Sequence, residues 1–242
     1  MKTRLVVFDL DGTLIDSAAE IAHAVNDVLS SEGMPTLAVA AVRELIGHGA
    51  RSTVARAYAR SAGYRRGSAA NARPDRALLD RLMRAYSRSC LAHCGMRSRV
   101  FPQVRSTLQR LRAAGVKLAL VTNKEACFAR PLLATHGLLD WFDPIVAGDT
   151  LSVRKPAPAP VRRCLTYHGV ERAIMVGDSI TDVRAARAAG LPIVLVAHGY
   201  YDLSGSRVCA PDGWLHSFGE LSDHMYDRLL RSAVSSRSST CR

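Results

Sequence analysis

Short apolar runs and longer stretches with helical periodicity alternate along most of this chain. Residues 5–8, Leu-Val-Val-Phe, predict a strand that is buried on both faces. From about residue 101 onward, apolar runs of strand length alternate with amphipathic segments of helix length; the runs cover residues 116–121, 142–147, 174–176 and 193–196. This alternation is typical of a parallel sheet with right-handed crossovers. The expected fold class is therefore α/β, with a doubly wound, Rossmann-like parallel sheet.

The stretch from residue 17 to residue 95 differs, because nothing in it has the pattern of a strand. Ser17 and Glu20 have the spacing of a capping box, which predicts the start of a helix. The other predicted elements are a second helix capped by Thr36, a third helix after the Gly47-His48-Gly49 turn, a polar loop over residues 63–74, and a fourth helix from Asp75 to about residue 90. These elements predict an all-helical cap inserted directly after the first strand.

The predicted elements divide the chain into two domains and a tail. We expect an α/β core made of residues 1–16 and 96–232, and a helical cap over residues 17–95. A last helix is predicted over residues 221–230, and the Ser- and Arg-rich residues 233–242 predict a disordered tail. Because the core is discontinuous, we expect a site between core and cap, where a mobile cap could exclude water.

Charge and hydropathy narrow the possible partners. The net charge of +12 could attract nucleic acid or small anions. The arginines are spread over the chain without a basic stripe, so we expect no specific nucleic-acid partner. No apolar run is long enough to span a bilayer, and the apolar start is too short for a signal peptide. We therefore expect a cytoplasmic protein without membrane contact, either a monomer or a homodimer.

The six cysteines are scattered, which is typical of reduced thiols. Within them, Cys90-Leu-Ala-His93-Cys94 could place three soft ligands on one helical face. The motif lacks a fourth ligand and a second pair, so a zinc site is the less favoured interpretation.

Polar side chains follow the predicted strands where each strand ends. The groups are Asp9 and Asp11, Thr122 and Asn123, Asp178 and Asp182, and Lys155, which follows a loop. Because the carboxyl ends of parallel strands share one edge of a sheet, we expect these groups to meet there.

This arrangement resembles the haloacid dehalogenase superfamily of aspartyl phosphotransferases. The matching segments are Asp9-Leu-Asp11-Gly-Thr-Leu14, Val121-Thr-Asn123, Arg154-Lys155-Pro-Ala-Pro158 and Gly177-Asp178-Ser-Ile-Thr-Asp182. All four occur in the family's order, and the helical insert matches the family's first cap type.

The resemblance implies a nucleophile, an acid/base and a metal ion at the first turn. Asp9 would attack phosphorus and form an aspartyl-phosphate, while Asp11 would protonate the leaving alcohol and later deprotonate water. The implied cofactor is Mg²⁺, held by the Asp9 side chain, the Asp11 backbone carbonyl and Asp178.

The remaining motif residues are implied to bind or support the phosphoryl group. Thr122 and the Asn123 backbone N–H would hold phosphoryl oxygens, and Lys155 would neutralise their charge. Asp182 would orient Lys155 or metal-bound water, and Gly177 would support the same turn.

Further segments look like bacterial phosphoglycolate phosphatases. These segments are residues 43–51, 120–124, 185–190, 198–200, 210–212 and 217–221. The chain departs from that family in the 63–74 loop, in the basic tail and at Gln103, where a glycine is usual. Substrate choice should then lie in the cap turn. There Arg51 could bind a carboxylate and His48, next to Gly49, could donate a hydrogen bond. An exposed arginine and an ordinary surface turn are the competing interpretations.

The function implied is a Mg²⁺-dependent phosphomonoester hydrolase that converts 2-phosphoglycolate to glycolate and phosphate, with a small anionic phosphoester as its partner. The alternative is a phosphatase or phosphomutase for another small phosphorylated sugar or acid. A more distant alternative is a non-catalytic basic binding protein.

Overall fold

A six-stranded sheet forms the centre of the computed structural model, which describes residues 4–66, 73–171, 173–200 and 210–221. Along the sheet the strands follow the order β5 (Ile145–Val146), β4 (Val116–Val121), β1 (Arg4–Phe8), β6 (Ile174–Gly177), β7 (Ile193–Val196) and β8 (Gly213–Leu215). Every neighbouring pair is parallel, which confirms the predicted sheet. The predicted last helix (221–230) falls outside the described residues except for its first position, and the predicted tail lies wholly outside them.

Helices cover both faces of this sheet. They are α5 (Val104–Ala113) and α6 (Ala126–Thr135) on one face, and α7 (Ala159–His168) and α8 (Ile180–Ala189) on the other. Alternate residues of β1 serve the two faces: Val6 and Phe8 join one hydrophobic cluster, while Leu5 and Val7 join the other. The doubly wound fold class is therefore confirmed.

In the part of the chain that the structure describes, four helices form the insert between β1 and the rest of the sheet. They are α1 (Ala18–Ser31), α2 (Val39–Arg43), α3 (Ala50–Arg66) and α4 (Arg76–Ala92). They share a hydrophobic cluster of their own, and Phe128 of α6 packs into it. The Phe128 and Tyr86 rings meet edge to face, with their centres 5.7 Å apart. The bounds 17–95 for this insert stay a prediction. No helix among the described residues is both long and apolar enough to cross a bilayer.

Two short strands join the ends of the insert, and the sequence did not predict them. β2 (Ile15–Asp16) leads into α1, and β3 (Arg99–Val100) follows α4. They pair antiparallel, with Ile15 opposite Val100 and Asp16 opposite Arg99. The chain therefore leaves and re-enters the sheet domain at one place.

The predicted capping box of α1 does not form. Ser17 is the N-cap, but its hydroxyl donates to Asp11 at 2.6 Å instead of capping the helix. The Glu20 carboxylate accepts from the Gly95 backbone N–H at 2.8 Å and from the Ser98 hydroxyl at 2.9 Å. Both side chains of the motif therefore hold other segments: Ser17 holds the turn after β1, and Glu20 holds the linker after α4.

Other element bounds also differ from the prediction. The second helix begins after Ala38 and not at Thr36, and the third continues through Gly63 to residue 66. The predicted strand 142–147 is only two residues long, because Pro144 lies within it. β8 was not predicted.

Gln103 has the left-handed conformation that its position requires. Its φ is 62°, and among the described residues it is the one non-glycine with a positive φ. The Gln103 side chain accepts hydrogen bonds from the Ser217 hydroxyl and from the Gly219 backbone N–H. A glycine could not make these side-chain hydrogen bonds. They offset the backbone strain that a non-glycine residue has in this conformation.

Candidate active site

The carboxyl ends of β1, β4 and β6 form the floor of a cavity of about 440 Å³. From the sheet edge, Asp9, Thr122 and Asp178 line it. From the insert, the turn after α2 lines it together with the start of α3. The structure therefore places a cavity between the sheet and the insert, at the edge where the motif residues converge.

Lys155 is a buried cation behind this floor; it contacts Asp9 but does not itself line the cavity. Its ammonium group is buried and lies 2.7 Å from a carboxylate oxygen of Asp9 and 2.7 Å from one of Asp182. It also donates to the Val121 carbonyl at 2.8 Å. Burial lowers the pKa of Lys155, but the Asp182 and Asp9 carboxylates outweigh that effect and hold the pKa above its ordinary value. Lys155 is therefore a fixed positive charge beside Asp9.

The pKa of Asp9 is shifted in the opposite sense to that of an ordinary ion pair. Burial, and after it the nearby Asp182 carboxylate, raise the pKa of Asp9 to about 7, although Lys155 acts in the other direction. The cost of burying the ionised carboxylate, together with the repulsion from Asp182, therefore outweighs the attraction of Lys155.

Asp178 is buried beneath the turn that carries Asp11. Its carboxylate accepts from the Tyr200 backbone N–H at 2.7 Å and from the Thr13 hydroxyl at 3.3 Å. A Cβ on Gly12 would lie 2.3 Å from Asp178 Oδ2, and Gly12 has a φ of +81°, so only glycine fits this turn. Burial, and then the Asp182 and Asp9 carboxylates, raise the pKa of Asp178.

Asp182 holds the start of α8 as well as Lys155. Its second carboxylate oxygen accepts from the Ser179 hydroxyl at 2.6 Å and from the Ser179 backbone N–H at 3.0 Å, in a formed capping box. A Cβ on Gly177 would lie 2.5 Å from the Asp182 carboxyl carbon, so this glycine allows the close approach. Asp182 thus pairs with Lys155, and its role in orienting Lys155 or metal-bound water stays a prediction.

Asp9, Asp178 and Asp182 form a group that could hold a metal ion. One carboxylate oxygen from each lies within 4.8 Å of the others. Lys155 supplies one positive charge among these three buried carboxylates, which leaves an excess of two negative charges if all are ionised. The donors are all oxygen, and hard divalent cations such as Mg²⁺ prefer oxygen ligands. The residues therefore fit a Mg²⁺ ion in both charge and donor type.

Asp11 faces the insert and not the carboxylate group. Its side chain accepts from the Ser17 hydroxyl at 2.6 Å and pairs with the Lys124 ammonium group at 3.1 and 3.3 Å. Both Asp11 and Lys124 line the cavity. The role of the Asp11 backbone carbonyl as a metal ligand stays a prediction.

Thr122 and Asn123 lie buried at the end of β4. The Thr122 hydroxyl accepts from the Lys124 backbone N–H at 3.2 Å. The Asn123 amide group donates to the carbonyls of Gly47, at 2.8 Å, and Lys155, at 2.9 Å, so it connects the insert to the lysine loop. Binding of phosphoryl oxygens by Thr122 and by the Asn123 backbone stays a prediction.

The structure does not bring Arg51 to the cavity. Its guanidinium group pairs with Asp80 of α4 at 2.7 Å, half-exposed, and it does not line the cavity. His48 and Gly49 do line it. Burial, and then the Arg56 guanidinium group, lower the pKa of His48. The expectation that Arg51 faces the core is therefore not met.

The cavity residues that sequence reasoning missed include four polar ones that matter for its chemistry: Lys124, Arg43, Arg56 and Tyr200. Arg43 stacks on the Tyr200 ring, 4.7 Å from its centre, and donates to the Gly199 carbonyl at 2.9 Å. The Tyr200 hydroxyl accepts from the backbone N–H groups of residues 17 and 18 at the start of α1. Tyr200 therefore connects Asp178, through its own backbone, to the insert.

Comparisons with known proteins identify the family of this chain. A profile described as haloacid dehalogenase-like hydrolase matches residues 6–196. A phosphoglycolate phosphatase of Rhodospirillum rubrum is 42% identical over 199 residues, which are 81% of this chain and 80% of that protein. The crystal structure of a predicted phosphoglycolate phosphatase from Haemophilus somnus has a TM-score of 0.81 and 28% identity, covering 91% of this chain and 96% of that one.

A further solved structure carries a ligand. It is a mutant of CbbY from Rhodobacter sphaeroides in complex with xylulose-(1,5)bisphosphate. Its TM-score is 0.72 at 25% identity, and the match covers 91% of this chain and 96% of that one.

Proposed function

Because this chain belongs to the haloacid dehalogenase-like hydrolases, we propose that it is a Mg²⁺-dependent phosphomonoester hydrolase that acts through an aspartyl-phosphate on Asp9. One observation carries the proposal. A carboxylate oxygen of Asp9 lies 2.7 Å from the buried Lys155 ammonium group, and Asp9 lines the floor of the cavity. A nucleophile and a fixed positive charge are thus adjacent where a phosphate dianion could enter.

Asp9 and Asp178, with the Asp11 backbone carbonyl, would hold the Mg²⁺ ion. When bound, the ion neutralises charge on the carboxylates and on the phosphoryl oxygens. The excess negative charge around Asp9 supports this assignment, because three buried carboxylates beside one ammonium group are costly without a further cation.

The chemistry follows from the side chains. An Asp9 oxygen forms a bond to phosphorus while the bond from phosphorus to the alcohol oxygen breaks, and Asp11 gives that oxygen a proton. Lys155 and Thr122 stabilise charge on the phosphoryl oxygens. Water then attacks phosphorus, Asp11 accepts its proton, and the phosphorus–Asp9 bond breaks to release phosphate.

We propose 2-phosphoglycolate as the substrate, since the Rhodospirillum rubrum relative that is 42% identical to this chain is named phosphoglycolate phosphatase. In this substrate one CH₂ group separates the ester oxygen from a carboxylate. A cation besides the one that binds the phosphoryl group is therefore required to bind that carboxylate. Lys124 meets the requirement, because its ammonium group lies 3.1 Å from Asp11 and lines the cavity. The substrate carboxylate would draw Lys124 from Asp11 and leave Asp11 available for proton transfer.

Lys124→Met should lower kcat/KM for 2-phosphoglycolate about 10- to 100-fold. This loss corresponds to about 1.5–3 kcal/mol, the typical contribution of one charge-assisted hydrogen bond, here from Lys124 to the substrate carboxylate. Ethyl phosphate has the same length but no carboxylate, so its kcat/KM should change much less. Steady-state phosphate release on both esters measures the difference, with Lys117→Met, an exposed lysine on β4, as the matched control. An equal loss on both esters would assign Lys124 to the positioning of Asp11 alone.

A second candidate function is that of a phosphatase or phosphomutase acting on a small phosphorylated sugar. The structural likeness to CbbY, solved with a sugar bisphosphate, favours it. The scattered free thiols among the described residues are consistent with the cytoplasm for either enzyme. A non-catalytic basic binding protein would not need the buried group of Asp9, Lys155 and Asp182.

Phosphate release from a panel of small phosphoesters, with Mg²⁺ and with a chelator, distinguishes these functions. We expect 2-phosphoglycolate to be among the best substrates by kcat/KM, and the chelator to lower its turnover by at least about 10²-fold. A sugar phosphate as the clearly preferred ester would support the second candidate. Salt-sensitive nucleic-acid binding without turnover of any ester would contradict both.

A further inference from the structure

Three potential metal ligands lie together on the helical insert, and none of them lines the cavity. His23 and Asp27 are one turn apart on α1, with His23 Nε2 3.6 Å from Asp27 Oδ2. His93, the C-cap of α4, meets them: its ring lies 4.7 Å from that of His23, edge to face. One ligand atom from each residue lies within 4.8 Å of the others.

Hydrogen bonds around these residues hold them in the form that binds a metal. His93 Nδ1 lies 3.0 Å from the Ser89 carbonyl oxygen. A carbonyl oxygen only accepts hydrogen bonds, so Nδ1 carries the proton. In the neutral ring the lone pair of Nε2 is then available to bind a metal ion. The Ser89 hydroxyl donates to Asp27 Oδ2 at 2.5 Å. Ligating histidines usually donate their second ring N–H to a carbonyl or carboxylate, and ligating carboxylates are usually hydrogen-bonded, as here.

We propose that His23, Asp27 and His93 form a binding site for a divalent transition-metal ion, such as Zn²⁺, separate from the Mg²⁺ site. Two imidazoles and one carboxylate are typical ligands for Zn²⁺ and its neighbours, whereas Mg²⁺ takes oxygen ligands. A tetrahedral ion with bonds of about 2.1 Å holds its ligand atoms about 3.4 Å apart. The 3.6 Å between His23 and Asp27 is already close to that value.

The site uses a motif that the sequence singled out, but with different ligands. Cys90 and Cys94 belong to no metal-binding group among the described residues. His93 turns instead to α1, where Glu20 binds the linker that follows α4 through the Gly95 backbone N–H. A bound ion would therefore join α1 and the end of α4, next to the point where the insert returns to the sheet.

A competition titration of the full chain tests the proposal. The protein, saturated with Mg²⁺, is titrated with Zn²⁺ against a chromophoric chelator. We expect one Zn²⁺ ion per chain, and at least about tenfold weaker binding in His23→Ala and in His93→Ala. Ser89→Ala, which removes only the hydrogen bond to Asp27, should weaken binding less than either.

Two controls separate this site from other Zn²⁺ sites in the chain. Asp178→Asn should keep the Zn²⁺ affinity if the active-site carboxylates are not involved. A Cys90→Ala, Cys94→Ala double variant should keep it if the thiols are not ligands. Zn²⁺ affinity that is unchanged in both histidine variants, or lost in either control, overturns the proposal.

An anomalous difference map at the zinc edge gives a result that does not depend on the folding of any variant. A peak between the three side chains in crystals of the wild-type chain grown with Mg²⁺ and Zn²⁺ supports the site. Zn²⁺ at the active-site carboxylates only, or no ordered ion, contradicts it.

Discussion

Asp9→Asn is expected to lower kcat for phosphate release by at least about 10⁴-fold while leaving the fold intact. The amide has nearly the shape of the carboxylate but cannot attack phosphorus. Lys155 keeps its second partner, because Asp182 still lies 2.7 Å away. Single-turnover measurements with 2-phosphoglycolate and Mg²⁺ would give the residual rate.

Asp140→Asn is the matched control, because Asp140 is an exposed carboxylate that does not line the cavity. It should turn over at the wild-type rate. Residual activity of Asp9→Asn within tenfold of wild type on every ester would exclude Asp9 as the nucleophile.

Asp9→Asn should also change how stability depends on pH in the presence of a chelator. The pKa of Asp9 in the folded chain is about 7, above its ordinary value of 3.8, so the folded state binds this proton more tightly. The contribution of Asp9 to the free energy of unfolding is therefore present at low pH and is lost as the pH rises toward 7. Urea unfolding across this range should show a smaller decline for the variant than for wild type.

Lys155→Met is expected to lower kcat/KM by at least about 10³-fold and to destabilise the protein by about 3–5 kcal/mol. The substitution keeps an unbranched side chain, one heavy atom shorter, but removes the only ammonium group that lies against both Asp9 and Asp182 among the described residues. Two buried carboxylates then lose their partner, and the phosphoryl group loses its fixed positive charge. Phosphate release and urea unfolding measure the two effects.

Mg²⁺ affinity separates a catalytic loss from a failure to fold. Because Lys155→Met adds to the excess negative charge, the folded variant should bind Mg²⁺ at least as tightly as wild type, by calorimetry. Lys117→Met, on the exposed side of β4, should change neither activity nor stability. Activity of Lys155→Met within tenfold of wild type would show that Lys155 does not act on the phosphoryl group.

The convergence of Asp9, Thr122 and Asp178 could be predicted because each of them follows the end of a strand. Asp9, Thr122 and Asp178 come directly after buried apolar runs, and parallel strands bring such positions to one edge. Asp182 could be paired with Lys155 only through the family resemblance, since Lys155 follows a loop with no periodicity.

The residues of α3 that line the cavity could not be predicted, because they depend on how α3 is rotated against the sheet. Arg51 and Arg56 are both on α3, and five residues correspond to about 140° around the helix. The sequence does not reveal which of them faces inward. In the structure Arg56 lines the cavity and Arg51 pairs with Asp80.

Short elements and long-range hydrogen bonds were missed for a related reason. β2 and β3 have two residues each, too few for a periodic pattern. Ser17 and Glu20 have the spacing of a capping box, but Asp11 and the linker after α4 offer their side chains better partners. Local pattern predicted the helix correctly and its cap wrongly, because tertiary contacts replaced the local ones.

The pairing of β2 with β3 has a consequence for the order of folding. β1 must find β4 across more than a hundred residues, since Arg4 lies opposite Val116. If the insert folds first and β2 pairs with β3, the loop that must close to pair β1 with β4 contains only about 25 residues. The loop-closure cost then falls by about 1.3 kcal/mol. Helices with local contacts form quickly, so we expect pulse-labelled hydrogen exchange to protect α1 and α4 before β1. The sheet would then assemble around an insert that is already folded.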